Sequence, residues 1–435
     1  MNEELRFPVE KLVYGGDGLG HCDGQTVFVP YVLPGEEVRA RVISKKKNLV
    51  RARLEEVVKP AGERTQPACR HFGTCGGCHY QHISYESQLS LKSDILRETL
   101  SRLGGIKWEG PIALHPSPPH GYRNRAQWAA RPRSAPGLGY YRQASSEVCE
   151  ITECPVLSPG LAKLMAHLQT AVGSGAIGGG LKEIEAFADS EDKRFSLNVA
   201  YDKFLRSSKE LAAAIRGDFP GIESILLGDE STGKFQLSGP GFIHHEAGGH
   251  RYRVSHLSFF QVNRFLVAEL LKAMTGGRSG KVALDLYAGV GFFSLPLAQS
   301  FEQVITVDAN LAATHDLRAN AEAAGLKLDW HHENAGDFLK RKQPRPDLVV
   351  LDPPRAGLGE ETSARLAQAG APEILYLSCD PATLARDLAV LLHTAKTKPD
   401  MPSGAVRYEL AEVHLFDLFP QTYHIETFVR LKAAP

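Results

Sequence analysis

Residues 282–298 read VALDLYAGVGFFSLPLA. Val282, Ala283, Leu284 and Leu286 form the short apolar run of a buried parallel strand, interrupted by the carboxylate of Asp285. Gly289 and Gly291 follow in a turn where the backbone can approach a ligand closely, and Phe293, Leu295, Leu297 and Ala298 read as a helix laid over the sheet. Strand, glycine turn and helix in that order mark a nucleotide-type pocket.

A dinucleotide fingerprint would carry a third glycine for the pyrophosphate, and this chain lacks it. The acidic strand residue, the G-x-G turn and a second acid, Asp308, closing the strand QVITVD, instead resemble an S-adenosylmethionine site, with Asp308 placed for the ribose hydroxyls. Downstream the pattern alternates regularly: LAATHDLRANAEAAG as helix, LDWHH as strand, the polar turn ENAGD, the strand PDLVVLDPPRAG, a helix, the strand EILYLSCDP, the helix ATLARDLAVLL and two closing strands. That period predicts a doubly wound, mostly parallel sheet whose ligands gather at the strand C-terminal ends. Gly289, Asp308, Asn334, Asp352 and Cys379 all fall at such ends. Upstream, Gln261 and Asn263 follow the pair Phe259 and Phe260 and lead into the same pocket.

Further toward the N-terminus, short strands such as TVFVPYV and EVRARVI alternate with the turns YGGDGLG and LPGEE over residues 1 to about 60. They predict a small OB-type β-barrel, a shape that often takes oligonucleotides. Arg39, Arg41, Lys45, Lys46, Lys47, Arg51 and Arg53 concentrate basic charge there, either for phosphates or as a solvated strand edge. Next, Cys69, Cys75 and Cys78 stand as C-x5-C-x2-C, able to wrap one soft metal centre. Cys154, followed by proline, is the best fourth thiolate and Cys149 its competitor. Four thiolates suit zinc or a 4Fe-4S cluster, and spacing leaves both open. SYESQLSLKSDILRETLSRL reads as an amphipathic helix over 84–103, a candidate to pack on the C-terminal domain. After it Arg123, Arg125, Arg131, Arg133 and Arg142 alternate with Tyr122, Trp128, Tyr140 and Tyr141, the residue types that hold single-stranded nucleic acid.

The whole is then an α/β protein in three parts: an OB-type barrel (1–60), a central α+β domain with the cysteine site (61–255), and a Rossmann-like domain (256–435). At 435 residues the chain exceeds one core. Its 50 basic and 50 acidic residues cancel, so only local patches argue for a nucleic-acid partner. Seven cysteines, an odd and clustered set, favour metal or catalytic use over disulfides. No apolar run reaches membrane-spanning length and the N-terminus lacks a signal-peptide pattern, so a cytoplasmic protein without membrane contact is expected, with a monomer as the default.

Cys379, where a buried strand meets a helix, is the candidate nucleophile, with helix-end amides expected to favour its thiolate. A methyl donor beside a cysteine suggests carbon methylation, because a thiolate added to C6 of uracil makes C5 nucleophilic. A base must later take the C5 proton. His424 and Glu426, expected on one face of the last strand, are the candidates.

With these residues in hand the chain resembles the RNA uracil-C5 methyltransferase family over nearly its whole length, through SFFQVN, DLYAGVGFFSLPLA, LDPPRAG, LSCDPATLARD and the C-x5-C-G-G-C run. The resemblance implies a TRAM domain in the first sixty residues and a 4Fe-4S cluster, rather than zinc, on Cys69, Cys75, Cys78 and Cys154. It implies that Gln261, Tyr287, Asp308 and Asp352 contact S-adenosylmethionine, beside Gly289 and Asn334 from the strand-end reading. It makes Cys379 the nucleophile and Glu426 the base, acting on a uridine of RNA, with 23S ribosomal RNA favoured over transfer RNA. Phe292 and Asp308 depart from the family's usual polar residue and glutamate. Two other classes compete: an inactive iron-sulfur RNA-binding protein, which would not need Cys379 or Glu426, and an amino-group methyltransferase, which would want an aromatic residue where Arg355 follows Asp-Pro-Pro.

Overall fold

A computed structural model of the chain describes residues 3–131, 134–394 and 404–435. The first five strands, β1 Glu4–Leu12, β2 Asp17–Cys22, β3 Gln25–Pro30, β4 Glu37–Lys46 and β5 Leu49–Lys59, close into a barrel in the order β1-β2-β3-β5-β4. Alternation along them puts Phe7, Val27, Val29, Val38, Val42 and Val50 inside and leaves the polar residues outside. The basic residues on β4 and β5 are largely neutralised there. Arg39 faces Glu4 and Glu56, Arg41 faces Glu4 and Glu55, and Arg51 faces Asp17.

A cysteine-bearing loop follows, then helix α1, Tyr85–Gly104, and strand β6, Ile112–His115. Ser84 caps α1 by accepting from the Ser87 amide, and Gly105 ends it in the left-handed conformation. The central part holds β7 Arg125–Ala130, β8 Leu138–Tyr141, β9 Val148–Glu150, α2 Pro159–Gly173, β10 Leu181–Ala188, β11 Phe195–Tyr201, α3 Ser208–Arg216, β12 Ile222–Asp229 and β13 Lys234–Ser238. Its strands pair as β13-β12-β11-β10-β7-β8-β9, with α2 and α3 packed on one core. A hairpin of β14 Phe242–Ala247 and β15 His250–Ser255 leads to α4 Val267–Thr275.

The C-terminal part runs β16 Gly280–Leu286, α5 Ser294–Leu297, β17 Phe301–Asp308, α6 Leu311–Ala323, β18 Asp329–His332, α7 Ala335–Phe338, β19 Leu348–Leu351, α8 Glu360–Ala369, β20 Glu373–Ser378, α9 Pro381–Leu391, β21 Tyr408–Phe416 and β22 Glu426–Ala433. Among the described residues its sheet has the order β18-β17-β16-β19-β20-β22-β21-β6. The first five of these strands are parallel, and β22 enters antiparallel beside β20.

Chain order and spatial order part company at α1 and β6. Leu96 and Leu100 of α1 are fully buried in the core beneath the C-terminal sheet, and β6 extends that sheet by pairing with β21. A Cβ at Gly104 would sit 2.7 Å from the Ala385 carbonyl oxygen, so only glycine permits this approach of α1 to α9. Lys92 of α1 is completely buried and its Nζ lies 2.6 Å from Asp417 Oδ1, which fastens the helix to the turn before β22. No helix among the described residues is long and apolar enough to cross a membrane.

Candidate active site

Parallel register aligns the strand ends and thereby the functional side chains. Leu286, Leu351 and Tyr376 stand level across β16, β19 and β20, so Tyr287, Asp352 and the end of β20 form one rim. The Gly289 amide donates to Asp308 Oδ2 at 2.8 Å and the Asn310 amide to Oδ1 at 2.7 Å, which ties the glycine turn to the acid ending β17. Gly289 needs φ +56° there, and Tyr287 takes φ +63° despite its side chain, a local strain held by its amide's bond to the Val307 carbonyl at 2.8 Å. Gln261 Nε2 donates to Asp352 Oδ2 at 3.2 Å. Asn334 precedes α7 at its N-terminus, exposed and without a capping bond from its side chain.

Asp285 is fully buried, accepting from Ser294 Oγ at 2.5 Å through one oxygen while the other has no partner. Burial pushes its carboxyl up to about 7; the serine bond opposes this, and the charges of Asp308 and Asp352 add to it. Burial likewise pushes Asp352 up to about 7, against the Gln261 bond. The donors that meet these carboxylates are amides and a hydroxyl, so repulsion among them is left for a cationic ligand to relieve. A sulfonium donor carrying an ammonium group fits that need, and the orphaned Asp285 oxygen fits it too.

On the other side of Asp352, Ser378 pairs with Thr427, which sets Cys379 beside Glu426. Asp380 caps α9 directly after the cysteine, its Oδ1 accepting from the Ala382 and Thr383 amides at 2.9 and 3.0 Å. Cys379 is half-buried. Burial first, then the charges of Glu426 and Asp352, push its thiol up to about 12, against the Arg355 guanidinium. The helix end therefore does not by itself favour the thiolate, contrary to the sequence expectation, because desolvation and two carboxylates outweigh it. Burial and then Asp352 also hold the Glu426 carboxyl well above its ordinary range, with Arg355 pulling the other way.

His424 is not on a strand face shared with Glu426, since β22 begins at Glu426. It lies in the preceding turn with Nδ1 3.3 Å from Arg355 Nη2 and its ring against Phe419 and Tyr423. Phe292 is packed in the core against Phe260 and Tyr252 rather than toward the ligand side. Arg355 and Tyr14, whose hydroxyl lies 3.1 Å from Asp380 Oδ2, join the site without being among the residues the sequence points to. Arg355 had a signal in its Asp-Pro-Pro-Arg context, whereas a tyrosine in a glycine turn carried none.

The arginine-aromatic stretch is a correction. Tyr122 and Trp128 are wholly buried, Arg125 lies over the Phe187 ring, and Arg131 and Arg142 pair with Glu150 and Glu147. Only Tyr141 of the four aromatics is largely exposed, at 53%. For Trp128 the reason is that β7 runs between β10 and β8 inside a sheet, so its one aromatic faces a core, while Tyr122 is buried with its hydroxyl donating to the Pro420 carbonyl. Arg133 lies outside the described residues.

Cys69, Cys75, Cys78 and Cys154 line one cavity of about 240 Å³, together with Arg123 and Tyr140. Cys149 instead sits buried in β9 with its thiol toward the Glu150 carbonyl. The Cys75 sulfur accepts from the Gly77 amide at 3.4 Å. A single tetrahedral zinc would draw four sulfurs to within about 3.8 Å of each other, given Zn–S near 2.3 Å. Among the described residues no three His, Cys, Asp or Glu are placed to hold one metal ion. Four thiols lining one cavity are of the chemical type that zinc or an iron-sulfur cluster takes.

A profile described as tRNA (Uracil-5-)-methyltransferase matches residues 339–434, the TRAM domain matches 2–54, and a methyltransferase small domain matches 258–371. An uncharacterized RNA methyltransferase of Aquifex aeolicus is 34% identical over 99% of each chain. The 23S rRNA (uracil(1939)-C(5))-methyltransferase RlmD of Pseudomonas entomophila is 31% identical, covering 100% of this chain and 94% of its own. The crystal structure of Pyrococcus abyssi tRNA (uracil-54, C5)-methyltransferase with S-adenosyl-L-homocysteine superposes with a TM-score of 0.75 at 25% identity, covering 98% of this chain and 100% of its own.

Proposed function

The chain belongs to the RNA uracil-C5 methyltransferase family, whose donor is S-adenosylmethionine, and on that premise we propose a covalent mechanism carried by Cys379 and Glu426. The observation that carries it is the Ser378–Thr427 pairing, which sets thiol and carboxyl side by side next to Asp352 on the donor rim. S-adenosylmethionine, when bound, supplies the methyl group that C5 takes. Gln261, Tyr287, Gly289, Asp308, Asn334 and Asp352 are the residues assigned to hold it, with Asp308 and the glycine turn already joined by a hydrogen bond.

The chemistry of the chain's own groups is then ordered. The Cys379 thiol must lose its proton to solvent, since Glu426 has to be ionised later. Its sulfur bonds to C6 of the uracil, and the C5–C6 electron pair becomes available at C5. After C5 has taken the methyl group, Glu426 accepts the C5 proton, the C5–C6 double bond re-forms and the C6–S bond breaks, returning the thiolate. Arg355, which opposes the upward shifts of both groups, stabilises their ionised forms at the two moments when each must be charged.

Ribosomal RNA is the proposed substrate, supported by full-length similarity to the RlmD proteins named for 23S rRNA. The likeness to a transfer-RNA enzyme of known structure supports the other target. Mapping 5-methyluridine in RNA from cells with and without the gene decides between them: loss of one site from ribosomal RNA is expected, and loss confined to transfer RNA would transfer the assignment.

The cysteine cavity is proposed to hold a 4Fe-4S cluster that serves structure. The amides of His79 and Tyr80, next to Cys78, both donate to the Gln421 carbonyl, at 2.8 and 3.0 Å, so ordering this loop orders the turn that leads to Glu426. Anaerobically prepared protein is expected to contain about four iron and four sulfide per chain. Cys75→Ser should lower both contents and the melting temperature together; one zinc per chain and no sulfide would refute the cluster.

A further inference from the structure

The glycine turn Val13–Gly16 between β1 and β2 lies far from the C-terminal sheet in sequence and against it in space. The turn is closed by the Val13 amide on the Asp17 carbonyl at 2.9 Å and the Gly16 amide on the Val13 carbonyl at 3.1 Å. Lys11 joins the barrel to α1 through Glu98 at 2.5 Å. From this turn the Tyr14 hydroxyl donates to Asp380 Oδ2 at 3.1 Å, while the other Asp380 oxygen caps α9. The same side chain's ring stands edge-on to Tyr423, centroids 5.9 Å apart, and Tyr423 in turn touches His424 and His79. A Cβ on Gly16 would come within 3.3 Å of the Tyr423 ring, so the turn is seated closely on that segment.

One side chain from the barrel thus touches the residue after Cys379 and the residue three before Glu426. Each contact alone would be ordinary interface packing. Together they span the two segments whose relative placement the proposed chemistry requires. We infer that Tyr14 is a positioning residue for methyl transfer: it sets the Cys379 turn against the Glu426 turn from the barrel side. The inference rests on the assignment of Cys379 and Glu426 above. Burial and the neighbouring Asp380 charge hold the phenol well above its usual range, so the hydroxyl remains a donor throughout the working range of pH.

The test removes the hydroxyl and keeps the ring. Tyr14→Phe is expected to lower kcat about tenfold, the scale of one hydrogen bond to a charged group. KM for S-adenosylmethionine and the affinity for RNA should stay within about twofold, and the rate of covalent trapping on 5-fluorouridine RNA should fall by the same factor as kcat. Asp380→Asn, which retains a capping side chain, should show the same fall, and the double variant should be no slower than Asp380→Asn alone. Unchanged kcat in Tyr14→Phe overturns the inference, as does a loss that appears in donor KM or RNA affinity instead of kcat. Cys379→Ala assayed alongside separates the two levels: an active Cys379→Ala refutes the covalent reading itself, whereas an inactive one beside a fully active Tyr14→Phe refutes only the role of Tyr14.

Discussion

Cys379→Ala is expected to lose methyl transfer by at least about 10⁴-fold, because without the sulfur C5 of uracil has no electron density to accept a methyl group. Donor binding should survive, since the bonds that hold Asp308 and Asp352 come from Gly289, Asn310 and Gln261 and not from the cysteine. Stability should change little, the residue being small and only half-buried. Two measurements check this: tritium release from 5-tritiated uridine RNA, and formation of a denaturant-resistant complex with 5-fluorouridine RNA. Both should vanish in the variant while S-adenosylmethionine still binds. Full activity would remove covalent catalysis.

Glu426→Gln separates the second half of the reaction from the first. The amide occupies the same space but cannot take the C5 proton, so turnover should fall about 10²- to 10⁴-fold. Addition and methylation remain open to Cys379, so a covalent, methylated complex should accumulate on ordinary uridine RNA, where the native enzyme releases its product. The same substitution has a signature in stability. The Glu426 carboxyl is raised in the folded state, so folding is favoured while it is protonated, below its ordinary value near 4.3, and the native state loses stability as pH rises through the raised value. Glutamine escapes that loss: its melting temperature should exceed that of the native chain at pH 8 and approach it at pH 4. The Cys379 thiol should titrate lower in the variant, because the second cause of its upward shift is gone. Slow turnover with no accumulating complex would take the proton-abstracting role away from Glu426.

The two expectations about the nucleophile illustrate how far local reading reaches. A cysteine between a buried strand and a capped helix is a correct description of Cys379, yet its ionisation follows first from burial and then from Glu426 and Asp352, which arrive from a partner strand and a neighbouring one. Likewise the run from Tyr122 to Arg142 has the residue types of an RNA surface, but Tyr122 and Trp128 are wholly buried, the latter because β7 lies between β10 and β8. Cys154 is favoured over Cys149 on sequence by the proline after it, and in the structure it lines the cavity of the other three thiols while Cys149 lies within β9.

What the sequence alone determined was everything governed by a one-dimensional period: the alternating strands of the barrel, the β-α repeat that makes a doubly wound sheet, and the glycine turn and acids at strand ends. These are legible because backbone geometry repeats every two or 3.6 residues and writes its burial pattern directly into the chain. The tertiary structure decided what depends on segments meeting from afar: β6 joining the edge of the C-terminal sheet, a tyrosine of the first strand pair reaching the helix cap after Cys379, and the charge state of the reactive pair. Burial and Coulomb interaction act through space, and no spacing along the chain encodes which carboxylate will stand beside which thiol.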